Sequence, residues 1–219
     1  METINICFHG IGTPRRELET DEAGYWIPES LYLQIIDEIA GREDIAVSFD
    51  DGNVSDLEIG LQPLVDSGRS AAFFVLAGRL DQPGSLGPGE LIVLRQHGMK
   101  IGSHGMDHVP WRHLSPEELH LELTIARSMI ADAVDQPVTE AALPLGRYDR
   151  RTLKALRTRG YSRVFSSDRR RARPSDWLQP RYSVHAGDTI ESIRSEILRK
   201  PALVENALLN LKGVVKRLR

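Results

Sequence analysis

The chain holds a single cysteine, Cys7, so no internal disulfide can form. That excludes the small extracellular folds that stand on disulfides, and a reducing, cytoplasmic setting is the expectation. No run approaches the ~18 consecutive apolar residues of a membrane span. The N-terminal METINICFHG has neither the basic stretch nor the long apolar run of a secretory signal. Neither sign of charge is in excess. Lys and Arg number 28 against 31 Asp and Glu, a net charge of −3, which argues against bulk nucleic-acid binding because that needs a strongly basic face. No dinucleotide-binding glycine fingerprint and no fixed-period repeat occurs.

What is present is 219 residues, 41% of them hydrophobic, enough to close one sizeable core. Short apolar runs alternate with amphipathic stretches. Strands are expected at Thr3–Phe8, Ile45–Phe49, Ala71–Ala77, Met99–Ser103, Val138–Leu143, Tyr161–Ser166 and Arg181–Val184. Helices are expected at Leu31–Ala40, Asp56–Ser67, Glu90–His97, Arg150–Arg159 and, behind the capping box Ser115-Pro116-Glu117-Glu118, to about Ala133. Asp188 or Thr189 caps a further helix reaching Arg199, and a last helical stretch is expected over Leu203–Arg219. Such alternation implies parallel strands with helical crossovers, and a β/α barrel in one domain over 1–219.

The polar residues fall where such a barrel builds its active site, just past the C-terminal ends of strands. His9 follows the first strand, Asp50-Asp51-Gly52 the second, His104 and His108 the fourth, and Pro144-Leu145-Gly146 the fifth. Neighbouring residues leaving a strand point to opposite sides, so one of Asp50 and Asp51 can bind a cation while the other faces a reacting water; the bland reading is a surface turn. Two imidazoles four residues apart, sharing a rim with a carboxylate, favour a metal site over isolated histidines, with positions left for water and substrate. Zinc suits that set, and Co2+, Ni2+, Mn2+ or Fe2+ would also fit. The residue after His104 is glycine, so the H-E-x-x-H protease pattern fails. His9 is either a strand-end histidine with no role or a proton donor across the same site. His185 ends the seventh strand and is a second candidate acid.

These residues carry a resemblance. Ser48–Gly52 (SFDDG), Ser103–His108 (SHGMDH) and Ala142–Asp149 (ALPLGRYD) resemble the three motifs of the polysaccharide deacetylase family, the NodB-homology or carbohydrate esterase 4 group. The resemblance spans about Ile6 to Arg181. It implies a distorted (β/α)7 barrel, with Asp51, His104 and His108 as metal ligands, Asp50 as base and the backbone near Leu145 as an oxyanion donor. Two positions depart: Gly105 stands where the family has a hydroxyl residue, and Ala142 where it often has arginine. The late motif that carries the usual general acid is absent. Phe8-His9 matches instead the permuted arrangement of poly-N-acetylglucosamine deacetylases, which implies His9 as acid, with His185 as the fallback.

The implied activity is metal-dependent hydrolysis of the acetamide of a sugar in a polysaccharide, oligosaccharide or lipid-linked glycan. A deformylase or O-deacetylase on a lipid- or nucleotide-linked sugar, and a non-catalytic sugar-binding relative, are the alternatives. Among surrounding residues, Trp111 is a candidate for stacking on sugar, with Trp26 and Trp177 in similar positions. Arg181, in a basic run with Arg163, Arg169–Arg171 and Arg173, is a candidate for substrate or phosphate contact. The basic end of the last helix offers weak contact with an anionic membrane surface as the minority alternative to packing on the barrel.

Overall fold

The computed structural model describes residues 2–199 and Lys216. Strand β1 (Ile4–Phe8) pairs in parallel with β2 (Ile45–Asp51), which pairs with β3 (Ala71–Val75), then β4 (Lys100–Ser103), β5 (Glu140–Ala142) and β6 (Arg163–Ser166). The ring closes through two short segments consecutive in the chain. β7 (Leu178–Pro180) pairs with β6, and β8 (Tyr182–Ser183) pairs with β1. The expected seventh strand is therefore real but begins three residues earlier than Arg181, and Arg181 sits at its break. Every pairing in this sheet is parallel, as helical crossovers require.

Helices cover the barrel, the longer ones through an apolar stripe. In α1 (Glu29–Glu38) the buried residues are Leu31, Tyr32, Ile35 and Ile36, the helical spacing of one face. α2 (Gln62–Asp66) follows a π-helical turn, and α3 (Pro88–Gln96) begins with proline at a first-turn position. α4 (Pro116–His120) starts at the expected box, with Ser115 accepting from the Glu118 N–H, and runs through a wide turn into α5 (Ala126–Val134). α6 (Arg150–Thr158) is capped by Asp149 and α7 (Ile190–Ser192) by Thr189. Stretches of apolar side chains from the strands and helices form the main core, including Ile4, Ile6, Phe8, Phe49 and Phe73, all at most 1% exposed.

Between β1 and α1 the chain makes a detour over the C-terminal mouth of the barrel. Gly10–Ile11 pairs with Trp26–Ile27 at its base. A Cβ on Gly10 would lie 2.1 Å from the Trp26 ring, so only glycine lets the indole lie there. Among the described residues no helix is long and apolar enough to cross a membrane. The expected helix at Leu203–Arg219 lies, apart from Lys216, outside the described residues.

Candidate active site and metal centre

The strand ends bring His9, Asp50, Asp51, His104, His108 and Leu145 to one cavity of about 310 Å3 at the barrel mouth. Glu19, Thr20, Asp21, Glu22 and Tyr25 of the β1–α1 detour form its other wall. Asp50 and Asp51 end β2, and both are buried. Asp51 has φ of 76°, a left-handed turn that sends consecutive carboxylates different ways.

Asp51, His104 and His108 place their ligand atoms within 4.8 Å of one another. The Nε2 atoms of His104 and His108 each lie 3.5 Å from Asp51 Oδ1. Tetrahedral bonds of about 2.0–2.1 Å put neighbouring ligand atoms roughly 3.4 Å apart, so the spacing fits a small divalent cation. Both oxygens of Asp51 are buried with no hydrogen-bond partner, a costly arrangement unless a cation satisfies them. The imidazoles are also held the right way round. His104 Nδ1 is 3.0 Å from the Ala142 carbonyl and His108 Nδ1 is 2.7 Å from Glu19 Oε2. A carbonyl and a carboxylate can only accept, so both Nδ1 atoms carry the proton and both Nε2 lone pairs face Asp51. Burial pushes the His104 pKa down to about 4, against the pull of Asp50 and Asp51, and the ring stays neutral.

The loop joining the two histidines is braced by a residue that the sequence reading passed over. Glu122, buried between α4 and α5, accepts from the Met106 N–H at 2.8 Å, the Asp107 N–H at 3.3 Å and the Trp111 indole at 3.1 Å. This accounts for Gly105. Its φ is +95°, and a Cβ there would lie 2.2 Å from Glu122 Oε2.

Asp50 faces the same cavity from the other side of β2. Its Oδ2 is 3.9 Å from His104 Nε2 and 4.0 Å from His9 Nε2. Arg181 Nη1 and Nη2 donate to its two oxygens at 2.6 Å each. Burial would raise the Asp50 pKa, but Arg181 first and His104 next hold it well below the usual carboxylate range.

Two expectations need correction. Arg181 is fully buried against Asp50 and is not free to touch substrate or phosphate. Neighbouring arginines of the run are engaged locally: Arg171 donates to the Leu198 and Arg199 carbonyls, and Arg163 lies 3.8 Å from Glu140. Trp111 is 1% exposed, packed with Leu119, Leu123 and Leu143 in a second hydrophobic cluster, so it cannot stack on a sugar. Trp26 is buried beside Gly10, and Trp177 stacks under Arg157. At the third motif, Pro144 has no N–H, and the Gly146 and Arg147 N–H groups donate to Leu143 and Pro144 carbonyls. Leu145, with φ of 54°, is half exposed on the cavity edge.

His9 and His185 flank one ring. Tyr25 lies 4.7 Å from His9 and 4.5 Å from His185, centroid to centroid, so His185 is one ring further from Asp50.

The sequence profile of the polysaccharide deacetylase family matches residues 37–164. YxkH of Bacillus subtilis (strain 168), itself a provisional polysaccharide deacetylase, is 26% identical over 170 residues, which cover 71% of this chain and 61% of that protein. The chain thus spans about three-fifths of that relative's length. Among solved structures, the Streptococcus pyogenes deacetylase PplD in complex with acetate superposes with a TM-score of 0.77 at 15% identity, covering 92% of this chain and 99% of that one. IcaB from Ammonifex degensii superposes with a TM-score of 0.66 at 20% identity, covering 87% and 93%. At those identities the structural likeness establishes the barrel.

Proposed function

The chain belongs to the polysaccharide deacetylase family, and from that premise we propose that it is a divalent-metal-dependent hydrolase that removes the acetyl group from an N-acetylated sugar of a glycan. One observation carries the reading: two imidazoles, His104 buried and His108 partly so, each with its proton on Nδ1, aim Nε2 at the same unpartnered oxygen of Asp51. Asp51, His104 and His108 would hold the metal, for which zinc is the natural choice given two nitrogens and one carboxylate.

Such a metal supplies Lewis acidity and a water acidified towards pKa ~7. Asp50 takes the proton of the attacking water. Arg181 lowers its basicity but keeps it ionised and fixed, so the carboxylate is ready at any ordinary pH. As water adds to the acetyl carbon, the carbonyl oxygen becomes an oxyanion that accepts from the Leu145 N–H, a contact of a kind worth ~2.7–4 kcal/mol. The sugar amine is a poor leaving group, and His9, just past the end of β1, gives its nitrogen a proton. Tyr25 packs on the His9 ring and limits how it can turn.

The direct test is metal analysis of the purified chain together with acetate release from a panel of chitooligosaccharides. Retention of about one zinc or similar ion per chain and metal-dependent acetate release are expected. A chain that binds no divalent ion, or that releases acetate equally well after His104→Ala, would refute the reading.

A further inference from the structure

The wall of the cavity opposite the strand ends belongs to the detour between β1 and α1, which none of the three motifs includes. It is pinned at two places. Arg16 donates to Glu22 at 2.9 Å and to Asn53, two residues past Asp51, at 3.0 Å. Glu19 pairs with Arg79 and accepts a hydrogen bond from His108 Nδ1–H at 2.7 Å. The second contact differs in kind from the first. Of the two histidines, His104 is oriented by a backbone carbonyl of β5, part of the barrel itself. His108 has φ of 56°, outside any regular element, and its ring is oriented by a carboxylate on the detour.

We propose that Glu19 is a positioning residue of the metal centre, and that through it the detour and the metal hold each other in place. This rests on the metal reading above. Glu19 fixes the His108 tautomer and ring plane, which keeps Nε2 on Asp51. An ionised carboxylate on Nδ1–H also makes the imidazole a better donor to a metal. Arg79 shares the carboxylate and fixes its direction. Conversely, a cation drawn to His108 Nε2 polarises Nδ1–H and strengthens its bond to Glu19. Metal binding then tightens the same segment whose Thr20, Asp21 and Tyr25 line the cavity. A sugar would meet its complete binding wall only on the loaded protein.

The test uses the full chain with Zn2+ and a chromogenic chelator in competition. Glu19→Ala should weaken zinc binding about 10–100-fold, the usual cost of losing such a partner. Glu19→Gln, whose amide oxygen still accepts from Nδ1, should recover much of that loss. Tryptic cleavage after Arg15 and Arg16 should slow when zinc is added to the wild type and be indifferent to zinc in Glu19→Ala. A purely structural role would lower the melting temperature with no change in zinc affinity and no rescue by glutamine. The proposal is overturned if Glu19→Ala, folded by circular dichroism, binds zinc within twofold of the wild type. If the wild type itself takes no zinc, the metal reading has failed and this one with it, a different result from the twofold one.

Discussion

Arg181 grips Asp50 through two parallel hydrogen bonds of 2.6 Å across 131 residues of sequence, and neither residue is more than 2% exposed. The planar guanidinium matches the carboxylate edge to edge, which an ammonium cannot do. Arg181 also donates to Ser48 at 3.1 Å, which ties the pair to the floor of β2.

Arg181→Lys should therefore keep a positive charge but lose the fork. The expected result is a fall in kcat with zinc content unchanged. Arg181→Met strands a buried carboxylate and should cost about 3–5 kcal/mol of stability, the range for breaking a buried pair. Asp50→Asn should lose most turnover under the proposed role as base, and it also leaves a buried cation poorly matched. Its melting temperature should fall, so its rate must be taken on protein shown to be folded. Thermal melts, zinc analysis and acetate release on the three variants check all of this.

Gly105 offers a counter-intuitive case. Gly105→Ser would restore the hydroxyl residue that the family motif favours, yet it should destabilise the chain. Its φ of +95° disfavours any side chain, and Cβ would meet Glu122 Oε2 at 2.2 Å. Backbone strain of this sort costs on the order of 1–3 kcal/mol. Zinc affinity should fall as well, because Glu122 is what holds the backbone between His104 and His108. A double variant, Gly105→Ser with Glu122→Ala, should relieve the clash while losing the brace; a cycle of melting temperatures measures the coupling.

Much of this was legible in the chain itself, and the remainder was hidden for a physical reason. Asp50, Asp51, His104 and His108 stand at the ends of apolar runs, and a barrel gathers such ends on one rim. The partners that tune them are reached only through tertiary contact. Glu19 lies 89 residues from His108 and Arg181 lies 131 from Asp50, distances over which periodicity says nothing. Trp111 misled because a tryptophan in a loop reads as available, whereas its indole is spent on Glu122. Glu122 was the one missed residue with a local signal. It falls on the buried face of its helical stretch, between Leu119, Leu123 and Ala126, where a charge is expensive unless it has donors to satisfy. The closing strand was placed late because its first part, Leu178–Pro180, holds a glutamine and a proline, which do not read as strand.

His104 makes the stability of the metal-free protein depend on pH. Its ordinary pKa of 6.5 is pushed down to about 4 by burial. Between those values the unfolded chain binds a proton that the folded chain refuses, so stability is lost as pH falls from about 6.5 towards 4. The shift corresponds to about 3 kcal/mol at most. Chemical unfolding of the chelator-treated chain at several pH values should show this slope, and the slope should shrink in His104→Gln. An unchanged slope in that variant would place the titrating group elsewhere.

The last prediction separates the two candidate acids. His9 Nε2 lies 4.0 Å from Asp50 Oδ2 and lines the cavity. His185 stands behind Tyr25, and its backbone N–H is taken by Asp188 at 2.8 Å. Burial and Arg169 lower the His185 pKa, which makes it a poorer reservoir of protons at neutral pH. A proton for the departing nitrogen must come from a group within hydrogen-bond reach of it, directly or through one water. Of the two histidines, His9 is the one that lines the cavity beside Asp50. His9→Ala should lose about 10²–10⁴-fold in kcat, the usual worth of a positioned acid or base, with zinc binding retained. His185→Ala should stay within a few-fold of the wild type. Substrates with a better leaving group sharpen the contrast: an aryl acetate needs no protonated leaving atom, so His9→Ala should hydrolyse it at close to the wild-type rate. If His185→Ala instead showed the larger loss on the sugar amide and the same recovery on the aryl ester, the proton would be travelling through the second histidine and Tyr25 would be its gate rather than its barrier.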